Sequence, residues 1–302
     1  MENEFRLPDE NSNEEFDQRR IVELIEDIRA DIDFELDDVV TSIVRDLPSQ
    51  YFRRTKREDQ VTHLKGLLAS RICQFAGELF LNSSDGTRVA VLGRSSYKGQ
   101  LARILSDLPG QQTRLIGANI YTSESHDFIL DVFEFATDGN VTFTENPDPV
   151  LADQIAREAK AEETSVIDFL SRIRPSTSEN SDLQKLTRLF QAHDAVNHQP
   201  SPFVDIKPDS DSSSDVLIAV RSKNERSSFQ KTAALISRYG LDIQQAELVI
   251  ARKDKAEGLP VEARTDKSLL MSFKLSSPAS ELPAAEKWIA DLGELVASFS
   301  VS

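Results

Sequence analysis

Four histidines, one cysteine and a glycine-bearing loop are the residues whose types could do chemistry. His193 and His198 are five apart, which puts them on different faces of a helix and makes a shared metal ion a poor fit; both read as surface residues. His63 falls in a helical pattern and also reads as a surface residue. Ser125, His126 and Asp127 contain the three types of a hydrolytic triad, but adjacent side chains diverge and no nucleophile-elbow motif surrounds them. Cys73 is alone, so neither an internal disulfide nor a multi-thiolate zinc site can form, and its apolar setting predicts a buried, inert thiol. Gly93-Arg94-Ser95-Ser96-Tyr97-Lys98-Gly99-Gln100 imitates a phosphate loop, but its spacing is too long and its lysine precedes the second glycine. No Gly-x-Gly-x-x-Gly occurs among the 11 glycines. The sequence therefore predicts no catalytic residue, no metal ligand and no cofactor within these residues.

Charge narrows the partners. The chain has 35 Lys+Arg against 51 Asp+Glu, a net charge of −16, and much of the acidic excess lies in the first fifty residues. Nucleic-acid binding needs basic side chains to displace counterions, and the richest cluster, Arg53, Arg54, Lys56 and Arg57, is followed at once by Glu58 and Asp59. The start Met1-Glu2-Asn3-Glu4 lacks the basic residues and apolar core of a signal peptide, and no apolar run approaches the ~20 residues that span a bilayer. No nucleic acid and no membrane are expected as partners, and a cytoplasmic location is the expectation.

These residues have to be positioned by a regular scaffold. Ile21, Leu24, Ile25, Ile28, Ile32, Leu36, Val39, Val40, Ile43 and Leu47 form one apolar stripe of a long helix that Pro48 stops. Burial against the rest of the chain is the expectation for that stripe, with a second copy as the alternative. A second helix is expected over 58–80, with Val61, Leu64, Leu68, Ile72, Phe75 and Leu79 on one side; the turn residues 82–86 end it. Thereafter the rhythm alternates: strand 88–93, helix 99–108, strands 113–122 and 128–135, then a helix from Pro147 and Pro149 to about residue 173. Residues 174–214 contain Pro175, Pro200, Pro202, Pro208 and a Ser/Asp run, and read as a mobile linker interrupted by one short helix over 183–192. Strand 216–220, helix 226–239 closed by Gly240, strands 241–251 and 268–275, and a helix from Pro283 repeat the earlier grammar, with a last strand expected to begin near 296.

The two segments share the strand–helix–strand–strand–helix–strand order of ferredoxin-like folds, in which both helices cover one face of an antiparallel sheet. The expected fold is α+β: an N-terminal helical region at 1–81, a first module at 82–174, a linker at 175–214 and a second module at 215–302. Each sheet would have one bare face in need of company.

Ser95-Ser96-Tyr97-Lys98-Gly99-Gln100-Leu101-Ala102-Arg103-Ile104 resembles the loop and helix start of ACT domains. Ala118-Asn119-Ile120-Tyr121-Thr122 and Leu130-Asp131-Val132-Phe133 resemble their second and third strands, in a form similar to the ACT repeats of uridylyl-transferring nitrogen sensors. In the second module Phe229-Gln230-Lys231-Thr232-Ala233-Ala234-Leu235-Ile236 and Tyr239-Gly240-Leu241-Asp242-Ile243 are a looser match, with Ser227-Ser228 where the loop glycine would stand. Residues 51–69 resemble the N-terminal region of the large NAD-specific glutamate dehydrogenases, which carry ACT-like domains ahead of a catalytic core; that core and its nucleotide-binding domain are not in this sequence. The resemblance implies a non-catalytic regulatory or oligomerisation role, present as a fragment or a stand-alone relative, with a small amino acid as effector and a homo-oligomer or a dehydrogenase core as partner. It places the ligand at Ser95, Ser96, Tyr97 and Gly99. Physically, Gly99 could admit a carboxylate close to a helix N-terminus or could simply serve the turn. The alternative is a structural dimerisation or scaffold protein that binds no metabolite.

Overall fold

The computed structural model describes residues 37–74, 77–94, 97–108, 114–123, 125, 127–136, 144, 146–179, 181–199, 201–222, 224–252 and 267–297. Three helices open it: α1 (Asp37–Asp46), α2 (Ser49–Arg54) and α3 (Arg57–Ile72). A first set of strands comes next, β1 (Leu79–Asn82), β2 (Arg88–Gly93), helix α4 (Gln100–Asp107), β3 (Leu115–Thr122) and β4 (Ile129–Phe135). Helices α5 (Pro149–Ala159), α6 (Glu163–Leu170), α7 (Pro175–Glu179) and α8 (Leu183–His198) lead to β5 (Phe203–Ser210), β6 (Ser213–Arg221), α9 (Glu225–Arg238), β7 (Ile243–Arg252), β8 (Lys267–Leu275) and α10 (Ala285–Ala297).

All eight strands form one antiparallel sheet in the order β1-β2-β4-β3-β7-β8-β6-β5. The order reads the same from either edge. Each half is an outer hairpin, a helix and an inner hairpin whose second strand inserts beside the outer one, and the halves join through β3 and β7, from Ala118 opposite Leu248 to Tyr121 opposite Gln245. The expected strand–helix–strand–strand order is present in both halves. The fourth strand of each half comes from upstream, as β1 or β5, rather than from beyond the second helix. The closing strand expected near 296 begins inside α10, and its remainder lies outside the described residues.

Side chains alternate across the pleat, so two cores sit on opposite faces. On one face Val89, Val91, Ile120, Ile129 and Phe133 of the first half and Val216, Ile218, Leu248, Met271 and Phe273 of the second form a single core with α4, α9 and α10. Helix α4 supplies Leu101, Ile104 and Leu105, and its C-cap residue Leu108 continues the same face. Helix α9 is capped by Asn224, whose side chain accepts from the Ser227 N–H, and ends at Gly240 with φ +75°, a conformation that favours glycine. The other face is covered in two parts. Helices α1–α3 bury Val40, Ile43, Tyr51, Leu64 and Leu68 against Ala90, Leu92, Tyr121 and Leu130; α5, α6 and α8 bury Ile155, Phe169, Leu186 and Phe190 against Leu217, Ala219, Val249 and Leu270. The bare faces are thus covered within the chain, and the described end of the N-terminal stripe packs there; residues 1–36 lie outside the described residues.

Several expectations are corrected. Residues 175–214 are not a bare linker: α7, α8 and β5 fill them, because Leu186, Leu189, Phe190 and Val196 give α8 a buried face and β5 pairs along β6. The second helix stops at Ile72, and Leu79 and Phe80 belong to β1; the turn at 83–86 closes a hairpin, with Asp85 accepting from Ser83 Oγ at 2.6 Å and the Thr87 N–H at 3.0 Å. Four residues are too few for alternation to have shown a strand. Ile72 is exposed, and so is Cys73, which lies at the C-cap rather than on the buried stripe. The helix expected from 149 to 173 breaks at Lys160, whose φ is +55°. His63 and His193, read as surface residues, are both buried. No described helix is long and apolar enough to cross a membrane.

Candidate functional site

The seam between β3 and β7 carries polar groups on both of its faces, and each face has its own cavity. On the face that packs α4 and α9, the structure brings Tyr97 and Gly99 to the seam; Ser95 and Ser96 lie outside the described residues. Gly99 is the N-cap of α4 with φ +86°. Among the described residues a Cβ there would meet the Ser237 side chain, nearest at Oγ, 3.6 Å away, so the backbone conformation and not a close approach calls for glycine. Tyr97 is exposed, with the Arg103 guanidinium 5.5 Å from its ring centre, and Arg103 in turn pairs with Glu78. Gln100 ties the loop down by donating to Glu78 Oε1 at 3.2 Å and accepting from the Tyr97 N–H at 3.3 Å.

Beneath this loop Asp131 is buried among Ile120, Thr122, Ile129 and Ile243, and one of its carboxylate oxygens has no hydrogen-bond partner. Burial pushes its pKa well above the ordinary carboxylate value; the charge of Glu78 adds to the rise and a bond from the Tyr121 N–H opposes it. The cavity measures about 30 Å³. It is much the smaller of the two cavities at the seam.

The opposite face of the seam is roomier. A cleft of about 260 Å³ lies between the two helical layers. Two rows of residues running across the sheet make its floor. Asp215, Lys274, Gln245 and Tyr121 are successive Cα partners on β6, β8, β7 and β3, and Ser272, Glu247 and Asn119 form the row beside them. Gln50 and Arg54 of α2 make one wall, and Asp182, Gln184, Lys185 and Arg188 at the start of α8 make the other. The same strands are apolar farther along, at Leu217, Leu270, Val249 and Ala251, where α5, α6 and α8 cover them.

Ion pairs organise the cleft. Glu247 is bonded by Arg54 at 2.8 Å and by Lys185, and Arg54 also donates to Asn119 Oδ1 at 2.9 Å. Burial alone would raise the Glu247 pKa, but Lys185 and Arg54 hold it below the usual carboxylate value. Lys274 pairs with Asp209 at 2.8 Å, and Arg188 Nε bonds Asp205 at 3.0 Å. Asp215 has no such close partner: Arg188 Nη1 is 3.8 Å away, and burial together with Asp209 raises its pKa. The Tyr121 hydroxyl is buried in this cleft without a hydrogen-bond partner. An unpaired hydroxyl in such a place costs roughly 1–3 kcal/mol, so the fold alone gives no reason to retain it.

Among the described residues, no group of three or more His, Cys, Asp or Glu side chains could hold a metal ion. His193 packs on Phe169 and accepts at Nε2 from Asn197 at 2.7 Å, while His198 is exposed, so the two face different surroundings. His126 lies outside the described residues. Compared with models of protein families and with curated proteins, the chain finds no match.

Sequence reasoning missed the cleft. The signal was there in the strands: Gln245 and Glu247, and Ser272 and Lys274, stand two apart in otherwise apolar runs, which makes one end of one sheet face polar. What the sequence could not show is that β7 and β8 lie beside β3 and beneath both α2 and α8.

Proposed function

We propose that this protein is a non-catalytic regulatory module that senses a small amino acid through two ACT-like halves, resembling the N-terminal part of the large NAD-specific glutamate dehydrogenases. The carrying observation is the cleft at the seam, which has an amino acid's volume, charges of both signs and walls from two separate helical layers. The matching orders β2-β4-β3 and β6-β8-β7, each with a helix after its first strand, also support the reading. A ligand that binds one arrangement of the two layers better than another would shift their populations, which is what regulation requires. The partner in this reading is a dehydrogenase core or a second copy of the chain.

Calorimetric and thermal-shift titration with the standard amino acids tests it. Binding of at least one, with a concentration-dependent rise in Tm, is expected; at one hundred times Kd the gain is about 2.7 kcal/mol. A chain that binds none would be a structural scaffold. One observation favours that second reading: the cavity under the Tyr97–Gly99 loop is small, about 30 Å³.

A further inference from the structure

The charges in the seam cleft are balanced overall but unevenly placed. At the β3–β7 end one carboxylate, Glu247, is shared by two cations, Arg54 and Lys185. At the β6 end Asp205 pairs with Arg188 and lies 3.9 Å from Lys207, Asp209 pairs with Lys274, and Asp215 is the carboxylate left without a close partner. Two cations thus share one carboxylate at the first end, and at the second the Asp215 carboxylate stands without a close cation. The unpartnered Tyr121 hydroxyl stands at the Arg54–Glu247 end. Strand β8 lies between β7 and β6, so Glu247 and Asp215 stand two strands apart, about 10 Å at ~4.8 Å per strand, and Tyr121 on β3 is one strand farther, its side chain having to lean back toward β7. An α-amino acid separates its ammonium and carboxylate by about 3 Å, and a hydrogen bond of about 2.8 Å at each end extends that span to roughly 9 Å.

From this arrangement we infer that the cleft binds a free zwitterion, its carboxylate held by Lys185, Arg54 and the Tyr121 hydroxyl and its ammonium by Asp215. This rests on the amino-acid reading above and moves the ligand from the Tyr97–Gly99 loop to the opposite face of the seam. The bound molecule would bridge α2 of the N-terminal layer and α8 of the second layer, both of which line the cleft. That bridge gives the binding event a mechanical consequence. The same charge pattern would accept the two termini of a dipeptide, and the titration separates the two sources.

The experiment uses the full chain and its Asp215→Asn, Lys185→Gln and Tyr121→Phe variants. Calorimetry is run with the standard L-amino acids, the desamino acid of each binder and glycylglycine, and a thermal melt without ligand checks that each variant folds. Asp215→Asn should weaken a binding amino acid tenfold or more and leave its desamino acid unaffected. Lys185→Gln should weaken both. Tyr121→Phe should weaken both while leaving the ligand-free Tm unchanged or higher, because it removes an unsatisfied hydroxyl. Tighter binding of glycylglycine than of any amino acid, with the same variant pattern, supports the site and identifies peptide termini as the source. Amino-acid binding that survives all three substitutions overturns this site and leaves the regulatory reading standing. Failure of the wild-type chain to bind any probe overturns both.

Discussion

The two halves of the sheet share a strand order and differ in the helix that leaves it. After its inner hairpin the second half continues into α10, which returns over β5 and the shared core; Trp288 is fully buried there, edge-on to Tyr239 at 4.7 Å, and its Nε1 donates to the Pro283 carbonyl at 3.0 Å. After its inner hairpin the first half continues into α5, which crosses to the other face and packs on the second half. Among the described residues nothing matches α10 over β1, and Phe80 is 37% exposed. Equal topology thus does not mean equal burial. The route of one connecting helix decides which half builds its own cover and which half leaves a seam open.

The largest effect should come from that asymmetry. Trp288→Ala removes a fully enclosed ring and its hydrogen bond, a change that costs about 3–5 kcal/mol. Phe80→Ala, at the edge of the other half, should cost under about 1 kcal/mol, since most of what a ring gains by burial is not realised there. Urea unfolding of the two variants measures the contrast. Equal losses would mean that β1 is covered as well as β5.

The two helical layers also differ in address but not in chemistry, because each buries one neutral histidine. His63 of α3 is bonded to the Tyr51 hydroxyl at 3.2 Å, and His193 of α8 to Asn197; burial pushes both pKa values down to about 4, helped by Arg88 for His63 and by Arg172 for His193. A depressed folded pKa means that each contributes stability above the unfolded value of about 6.5, lost as the pH falls toward 4. The shift corresponds to roughly 3 kcal/mol apiece. Asp131 works with the opposite sign: its raised folded pKa gives stability that is complete below about 3.8 and is lost as the pH rises above it. Urea titrations from pH 4 to 7 should show a shallower acid loss in His63→Gln and in His193→Gln, and a shallower decline toward neutrality in Asp131→Asn. Profiles that coincide with the wild type would show that these groups are not buried in the folded state.

How much of this was legible depended on whether the signal was local. The α4 stripe, the β2, β3 and β4 runs and the Gly240 stop are written in the spacing of neighbouring residues, and the elements appear within a few residues of where periodicity puts them. His63 escapes such a reading because a lone polar residue on a helix resembles a solvated one until Tyr51 and the sheet beneath it are known. The same holds for β5, whose Pro208, Asp209 and Ser210 look like linker chemistry yet form the outer end of an edge strand, where proline is tolerated and charge discourages further pairing. Glu247 and Lys185 are 62 residues apart in sequence, and only the sheet order brings them together.

Glycine provides the finest comparison, because each half has one left-handed glycine facing the seam. Gly99 has φ +86° and Gly240 has φ +75°, and a Cβ at either would find ordinary space, with Lys98 Nζ 4.0 Å from the Gly240 position. Gly99→Ala and Gly240→Ala should therefore each cost about 1–2 kcal/mol, the penalty for a left-handed residue with a side chain. Neither lies in the cleft on the other face, so both should leave amino-acid affinity within a factor of about two of the wild type. If Gly99→Ala abolished binding while losing no more stability than Gly240→Ala, the ligand would belong on the loop side of the seam. The left-handed conformation at Gly99 would then serve recognition as well as the turn.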